Sequence, residues 1–593
     1  MTQRYRYTPL QDDTRYFRLL KLLPEEWPEE LKCELETYPI KEPGKPARYP
    51  DYGAISYVWG QEEDRPKIRC HNGEVEIPTN LQDALNRLRD KRKPKYLWTD
   101  SICIDQENET EKNGQIQMMG SIYRDARVVH VWLGEKKEKA AFSLMEYLSN
   151  RLSLHDGEFQ KRAHKGSDTQ WKSLSKVLRF NWFERVWTLQ EICLATHATV
   201  LCGPSRIDWP RFLALCQRLS TTCRDLRLKH DLWLHRVLRT DVDFKNGKEG
   251  PGLILKRLRT KKCTNDIDRV RGIMGHAFFR RFRDENGRDF IPLTNLTSEN
   301  LDFAISTELL KRPEPLYTLS LVQHDAKTIA TYAHPSWVPR FRQNTFISTL
   351  ADETKRSGSW NASGRNEIGR LTPIRNLLQV VGVEVDCIEW QSSKITNKLM
   401  NRDEDHIVKG IWQQVQKAAA SSFKRAYETR EEMEQRSLRD LCRVLHLDNH
   451  FVGREGVPDP YPSVDKQMAD CLAYFADNGI ELSSSLRQLR RNLEGNNIRG
   501  KAKEFFLEVL HHCRNRRFII TSRGHLGLAP EISHWGRDGD KVCVLFGGQV
   551  PFLLRPGSER NDEYRLCGEC FLLDLMDGKA MELGAKTKTF TLV

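Results

Sequence analysis

Apolar residues recur along this chain in two rhythms, and the alternation between them predicts its elements. Residues 97–134, LWTDSICIDQENETEKNGQIQMMGSIYRDARVVHVWLG, carry an apolar run, a polar turn, a helical pattern and a second apolar run. The first run, 96–104, reads as a buried strand that delivers Asp100 and Asp105 toward its carboxyl end. Asn108 with Glu111 three residues on reads as a helix start, and Met118, Met119, Ile122, Tyr123 and Ala126 return at the spacing of one buried helix face. Residues 128–133 form the next expected strand, closed by Gly134. A strand-helix-strand unit of this length needs a parallel crossover, and open parallel sheets bind ligands beyond the carboxyl ends of their strands.

Upstream, residues 16–23 and 31–40 read as strands split by the loop PEEWPEE, and DYGAISYVWG at 51–60 reads as a compact apolar strand containing Ser56. Asn72-Gly73 marks a hairpin turn, and 80–89 a helix with Leu81, Ala84, Leu85 and Leu88 on one face. Downstream, 139–177 is helix-rich, and RFNWFERVWTLQEICLAT at 179–196 predicts a helix capped by Asn181. On it Trp187 and Glu191 stand four apart, so the carboxylate lies one turn from the indole. From 205 to 350 and again from 410 to 512 the pattern is mainly helical, while 353–366 is a polar, glycine-rich loop expected to be mobile. From 517 onward the period changes to two, which predicts a small antiparallel β unit with Asp538-Gly539 as one turn. The expected organisation is therefore N-terminal strands at 1–50, an α/β parallel-sheet domain at 51–204, a helical region at 205–510 and a β-rich unit at 511–593.

Composition narrows the classes. At 593 residues the chain exceeds one core, and about 150 residues per domain implies three or four units. No apolar run is long enough to span a bilayer and the N-terminus lacks a signal-peptide core, so the expectation is a cytoplasmic protein with no membrane partner. The 15 cysteines are odd in number and scattered, unlike a disulfide framework, and reduced thiols are expected. Net charge is +13, but its clusters (256–262, 280–283, 487–491, 514–517) lie far apart and outside any nucleic-acid motif. A solvated basic surface is the simpler account, and nucleic-acid binding a distant one. No metal is expected: Cys567 and Cys570 form a single C-x-x-C without a second pair. Cys103 in an apolar run is expected to be a small buried thiol.

Three blocks, DYGAISYVWG, LWTDSICIDQ running on through IYRDARVVHVWLG, and RVWTLQEICLA, stand in an order and spacing that resemble the fungal heterokaryon incompatibility (HET) domain over residues 52–195. TNDIDRVRGIMG, HPSWVPRF, ITSRGHLGLAP and GECFLLDLMDGKAM resemble downstream parts of longer members. Lys112, Ile55 and the stretch Asn265-Asp266-Ile267-Asp268 depart from the usual arginine, leucine and TDPRD. The resemblance implies a role in non-self recognition, with an effector that triggers cell death and acts through self-assembly or an incompatibility partner protein. HET motifs are also distantly similar to Toll/interleukin-1 receptor (TIR) domains, which have flavodoxin-like sheets and some of which cleave NAD through one glutamate. That likeness implies Glu191 as catalytic acid and NAD as substrate, with no resident cofactor.

The residues leave two readings open. Nicotinamide in NAD is already cationic and leaves neutral, so one carboxylate suffices for its hydrolysis. Glu191 would stabilise the developing charge, Trp59 or Trp98 would stack on a ring, main-chain groups after Gly60 would meet phosphates, and Ser56, Asp100, Asp105 and Trp187 would line the crevice. The other reading is structural: Glu191 braces a neighbouring strand, Asp100 and Asp105 bond backbone amides, and the tryptophans are core, in a signalling module that works by assembly alone.

Overall fold

The computed structural model describes residues 3–24, 30–42, 44–60, 65–71, 73–238, 240, 254–255, 258–259, 261–273, 298–312, 314–324, 329, 335–341, 350–351, 360–364, 366, 371–396, 407–421, 429–448, 462–536, 539–557 and 562–593. The chain divides into two compact units, Met1–Glu249 with Thr260–Asn295, and Gly250–Arg259 with Leu296–Val593.

The first unit is built on a mixed nine-stranded sheet: β1 (Tyr16–Leu22), β2 (Lys32–Pro39), β3 (Gly53–Ser56), β4 (Lys67–Cys70), β5 (Gly73–Glu76), β6 (Lys95–Trp98), β7 (Val128–Trp132), β8 (Ala198–Cys202) and β9 (Ser205–Asp208). Its spatial order is β5-β4-β2-β1-β6-β3-β7-β8-β9. Strands β6, β3, β7 and β8 pair in parallel. Taken in chain order these four lie as 2-1-3-4, the order of flavodoxin-like sheets, whose ligands bind where β3 and β7 diverge at their carboxyl ends. Antiparallel strands flank this core on both sides, β1 against β6 and β9 against β8. The expected parallel core is thus present, with the N-terminal strands and the hairpin strands extending it into a mixed sheet.

The helices follow the crossovers: α1 (Thr79–Leu88), α2 (Asp100–Cys103), α3 (Glu109–Asp125), α4 (Lys139–Ser149), α5 (Asp156–Ala163), α6 (Asp168–Leu178), α7 (Thr188–Cys193) and α8 (Trp209–Thr222). Helix α3 forms as its residues predict: the Asn108 side chain accepts from the amides of Thr110 and Glu111, and Met118, Met119, Ile122 and Tyr123 are buried. Glu111 does not complete a capping box. It turns inward to meet Arg18 of β1 at 2.6 and 2.9 Å, and both residues are buried. Two charges removed from water together are tolerable because each satisfies the other.

Two expected elements are shorter than their apolar runs. The strand expected over 96–104 ends at Trp98, because Asp100 bonds the amide of Ser101 at 2.9 Å and starts the single turn α2. Residues 179–196 are likewise not one helix. A 3-10 turn at Asn181–Glu184 is followed by extended Arg185 and then α7. The break has a partner: the Val186 amide donates to the Lys262 carbonyl at 3.0 Å, and the Lys262 amide to the Glu184 carbonyl at 2.5 Å. Backbone groups bonded outward in this way cannot also close helical rings.

In the second unit a sheet of eight strands comprises β10 (Leu378–Gln391), β11 (Arg516–Thr521), β12 (Leu526–Pro530), β13 (Lys541–Leu545), β14 (Phe552–Pro556), β15 (Glu563–Glu569), β16 (Phe571–Leu572) and β17 (Thr587–Leu592). Strand β13 pairs with β14 and also with β10, so β13, β14, β15, β17 and β10 close into a five-stranded ring. Closure removes the exposed edges of these strands. The β10 strand comes from the stretch read as helical, and at 14 residues it is long enough to serve both the ring and β11. Helices Ile407–Ser421, Arg430–Leu445, Val464–Asp477, Ser484–Gly495 and Ala502–Cys513 occupy the expected charged stretch. The loop expected at 353–366 falls largely outside the described residues, as do Asn72, Asp538 and the basic run 280–283. No described helix is long and apolar enough to cross a membrane.

Candidate functional site

Strand β3 ends on Ser56, opposite Val131 of β7, at the divergence point of the parallel core. Helix α7 brings Glu191 against it. The Ser56 hydroxyl donates to Glu191 Oε2, and the Trp182 indole N–H donates to Ser56 Oγ at 2.7 Å. This chain of three groups is buried: Ser56 is 1% and Glu191 3% exposed. Among the described residues, the Ser56 hydroxyl is the one hydrogen-bond donor to the Glu191 carboxyl, so backbone amides do not fix its charge.

Burial therefore sets its acidity. The carboxyl is pushed up from 4.5 to about 7, chiefly because the charged form loses water, and the Asp100 charge adds to the rise. The Arg185 charge and the Ser56 hydrogen bond oppose it. Arg185 is fixed by donating through Nη1 to the Tyr57 carbonyl, just after β3. Asp100, in turn, is raised by burial and held back first by Arg185, then by the Trp59 indole at 3.0 and 3.2 Å. Two carboxyls and one guanidinium thus share the mouth of the sheet. Such a group can hold or release a proton near neutrality, which is the property a general base needs.

The structure brings Ser56, Trp59, Asp100 and Glu191 together and leaves other candidates elsewhere. Trp98 is fully buried and meets Tyr123 edge-on, with centroids 5.3 Å apart, which is a core position and not a stacking platform for a ligand. Asp105 closes its own loop by accepting from the Glu107 amide at 3.1 Å. Trp187 is half-buried and its indole bonds Asp268. Although the Glu191 amide does bond the Trp187 carbonyl at 3.2 Å, the aromatic nearest its carboxyl in the bonding chain is Trp182. Gly60 is exposed with φ +84, an angle open to glycine, and it leaves the backbone after Trp59 uncovered.

Trp182, Arg185 and Tyr57 were not singled out from the residues. Trp182 and Arg185 stand in the same block as Glu191, but a bond spanning 126 positions leaves no local pattern. Cys103 is buried in α2 and its thiol is pushed up to about 12, which keeps it protonated and unreactive. Cys567 and Cys570 are buried, and among the described residues no group of His, Cys, Asp and Glu could hold a metal. Several basic-cluster residues are spent on the fold: Lys261 donates to the Phe183 carbonyl at 2.8 Å, Arg516 pairs with buried Glu569 at 3.1 Å, and Arg517 bonds the carbonyls of Ser392 and Glu531.

Residues 52–191 match the family described as Heterokaryon incompatibility protein (HET), and residues 473–593 match the Het-6 beta-barrel domain. The chain is similar to heterokaryon incompatibility protein 6, OR allele, of Neurospora crassa, at 25% identity over 99% of this chain and 98% of that one. It is also similar to the vegetative incompatibility protein HET-E-1 of Podospora anserina, at 29% identity over 25% of this chain and 9% of that protein. No solved structure matches.

Proposed function

Because the chain is a member of the fungal heterokaryon incompatibility (HET) domain family, we propose that it serves non-self recognition as an effector of cell death whose α/β unit hydrolyses NAD at Glu191. The observation that carries this reading is a carboxyl poised at about 7 and bonded to Ser56, where a flavodoxin-like sheet places its ligands. As the bond between ribose C1′ and nicotinamide breaks, its electron pair passes to the nicotinamide ring, which leaves neutral. Positive charge grows on C1′, and the Glu191 carboxylate stabilises it. Water then attacks C1′ and gives its proton to Glu191, which passes it to solvent; the products are nicotinamide, ADP-ribose and one proton. Arg185 favours the ionised form that this step requires.

Glu191 is 3% exposed, so hydrolysis requires the chain around it to move before substrate can reach the carboxyl. The resting chain is therefore closed, and assembly with itself or with an incompatibility partner protein is the step that opens it. The same burial favours a second reading, in which Ser56 and Glu191 brace α7 against the sheet and the domain signals by assembly without chemistry.

Nicotinamide release from NAD by the purified full chain, at concentrations high enough for assembly, separates the two. Turnover by the wild type and none by a folded Glu191→Ala variant supports hydrolysis. Equal turnover by both removes Glu191 from the mechanism, and a chain inert toward NAD yet toxic in cells establishes the signalling module.

A further inference from the structure

On the surface of the second unit's barrel lies an open cleft of about 550 Å³ lined by His534, Lys541, Arg555 and Pro556. That volume suits a small metabolite. Its walls are organised by one carboxylate, Asp540, which is fully buried. Asp540 takes the Arg555 fork at both oxygens, with Nε to Oδ1 at 2.8 Å and Nη2 to Oδ2 at 3.1 Å, and Arg555 Nη2 also donates to the Ile532 carbonyl at 2.7 Å. Asp540 also fixes the loop that carries His534. The His534 amide donates to Oδ2 at 2.8 Å, and the Asp540 amide returns a bond to the His534 carbonyl at 2.9 Å. Lys541 follows directly as the first residue of β13.

Arg555 Nη1, the Lys541 ammonium and the His534 ring make no hydrogen bond or ion pair with any described residue. Three donors thus face one cleft, two of them on a loop and a strand pinned by a buried carboxylate. Pinning matters because a guanidinium already held on one edge has little freedom left to lose when its other edge meets a ligand. Asp540 cancels the Arg555 charge locally, so Lys541 supplies the net attraction and Arg555 and His534 supply direction. Glu531, on the loop before His534, is engaged with Lys394 at 2.7 Å. A site that offers donors and one positive charge selects an oxyanion, and a phosphate group, with oxygens for all three donors, matches it best.

We propose that this cleft binds a phosphate-bearing small molecule, independently of the chemistry at Glu191. Titration of the full chain with inorganic pyrophosphate in a calorimeter, at low salt, tests it. One saturable site is expected, weakened about tenfold by Lys541→Gln through loss of one charge-assisted contact. Arg555→Lys, which keeps a positive charge beside Asp540 but loses the fork, should weaken it as well. Competition by a nucleoside diphosphate assigns the source to a soluble nucleotide, and competition by vesicles containing a phosphorylated inositol lipid assigns it to a headgroup; either keeps the phosphate site. No saturable binding, or binding that Lys541→Gln leaves unchanged in a protein of unchanged unfolding temperature, overturns the proposal.

Discussion

Replacing Glu191 with glutamine should make the first unit more stable, and the gain should depend on pH. The carboxyl titrates at about 7 in the fold against 4.5 in the open chain, so the folded state prefers it protonated. Below the open-chain value both states carry the proton and nothing is lost. As pH rises from there through about 7 the unfolded chain ionises first, and stability falls by up to 1.36 kcal/mol for each pH step. Above about 7 the full penalty of about 3 kcal/mol is in place. Glutamine cannot ionise, yet it still offers an oxygen to the Ser56 hydroxyl, so Glu191→Gln removes the penalty while keeping the bond. Asp100 and Arg185 face the same carboxyl and remain in both proteins. Urea unfolding of the two proteins should therefore show a difference of under about 1 kcal/mol near pH 5 that grows to about 3 kcal/mol near pH 8. An offset that is the same at both pH values would refute the argument that burial governs this group.

The remaining predictions concern the frame and the reaction. Arg18→Met should cost about 3–5 kcal/mol in thermal or denaturant unfolding, since it strands the buried Glu111 charge, and Arg18→Met with Glu111→Leu should recover most of that loss. Asn108→Ala removes the acceptor for two amides at the start of α3 and should cost about 1 kcal/mol, with faster hydrogen exchange confined to that turn. Gly527→Ala should disrupt the second unit, because the added Cβ would stand 2.1 Å from the Phe571 carbonyl oxygen in β16, and loss of the near-ultraviolet dichroism of that unit would report it. If Glu191 acts as carboxylate, turnover of NAD should rise with pH through about 7 and level off above it; a rate that falls across that range would assign it the acid role instead.

Much of the frame was legible because its signals are local. The cap at Asn108, the three-and-four spacing of α3 and the apolar runs of β1, β2, β3 and β7 each depend on residues within a few positions of one another. The misread lengths were those where a distant partner or a side chain decides: Lys262 opens the helix expected over 179–196, and the Asp100 side chain turns the chain out of β6. Strand β10 lay hidden in a stretch read as helical, and its pairing with strands more than 120 positions later has no local signature. At the site, Glu191 and Ser56 could be named because they stand in the blocks that carry the HET resemblance, but their direct bond and the Trp182 and Arg185 groups behind it became visible once the sheet was assembled.

The central claim is that cell death passes through NAD consumed at Glu191. It is met most directly by measuring NAD in fungal cells induced to express the full chain, wild type or Glu191→Gln, at matched levels of folded protein. NAD should fall before viability in the wild type, and both should hold with the variant. Death at undiminished NAD, or equal loss of NAD with the variant, would contradict it.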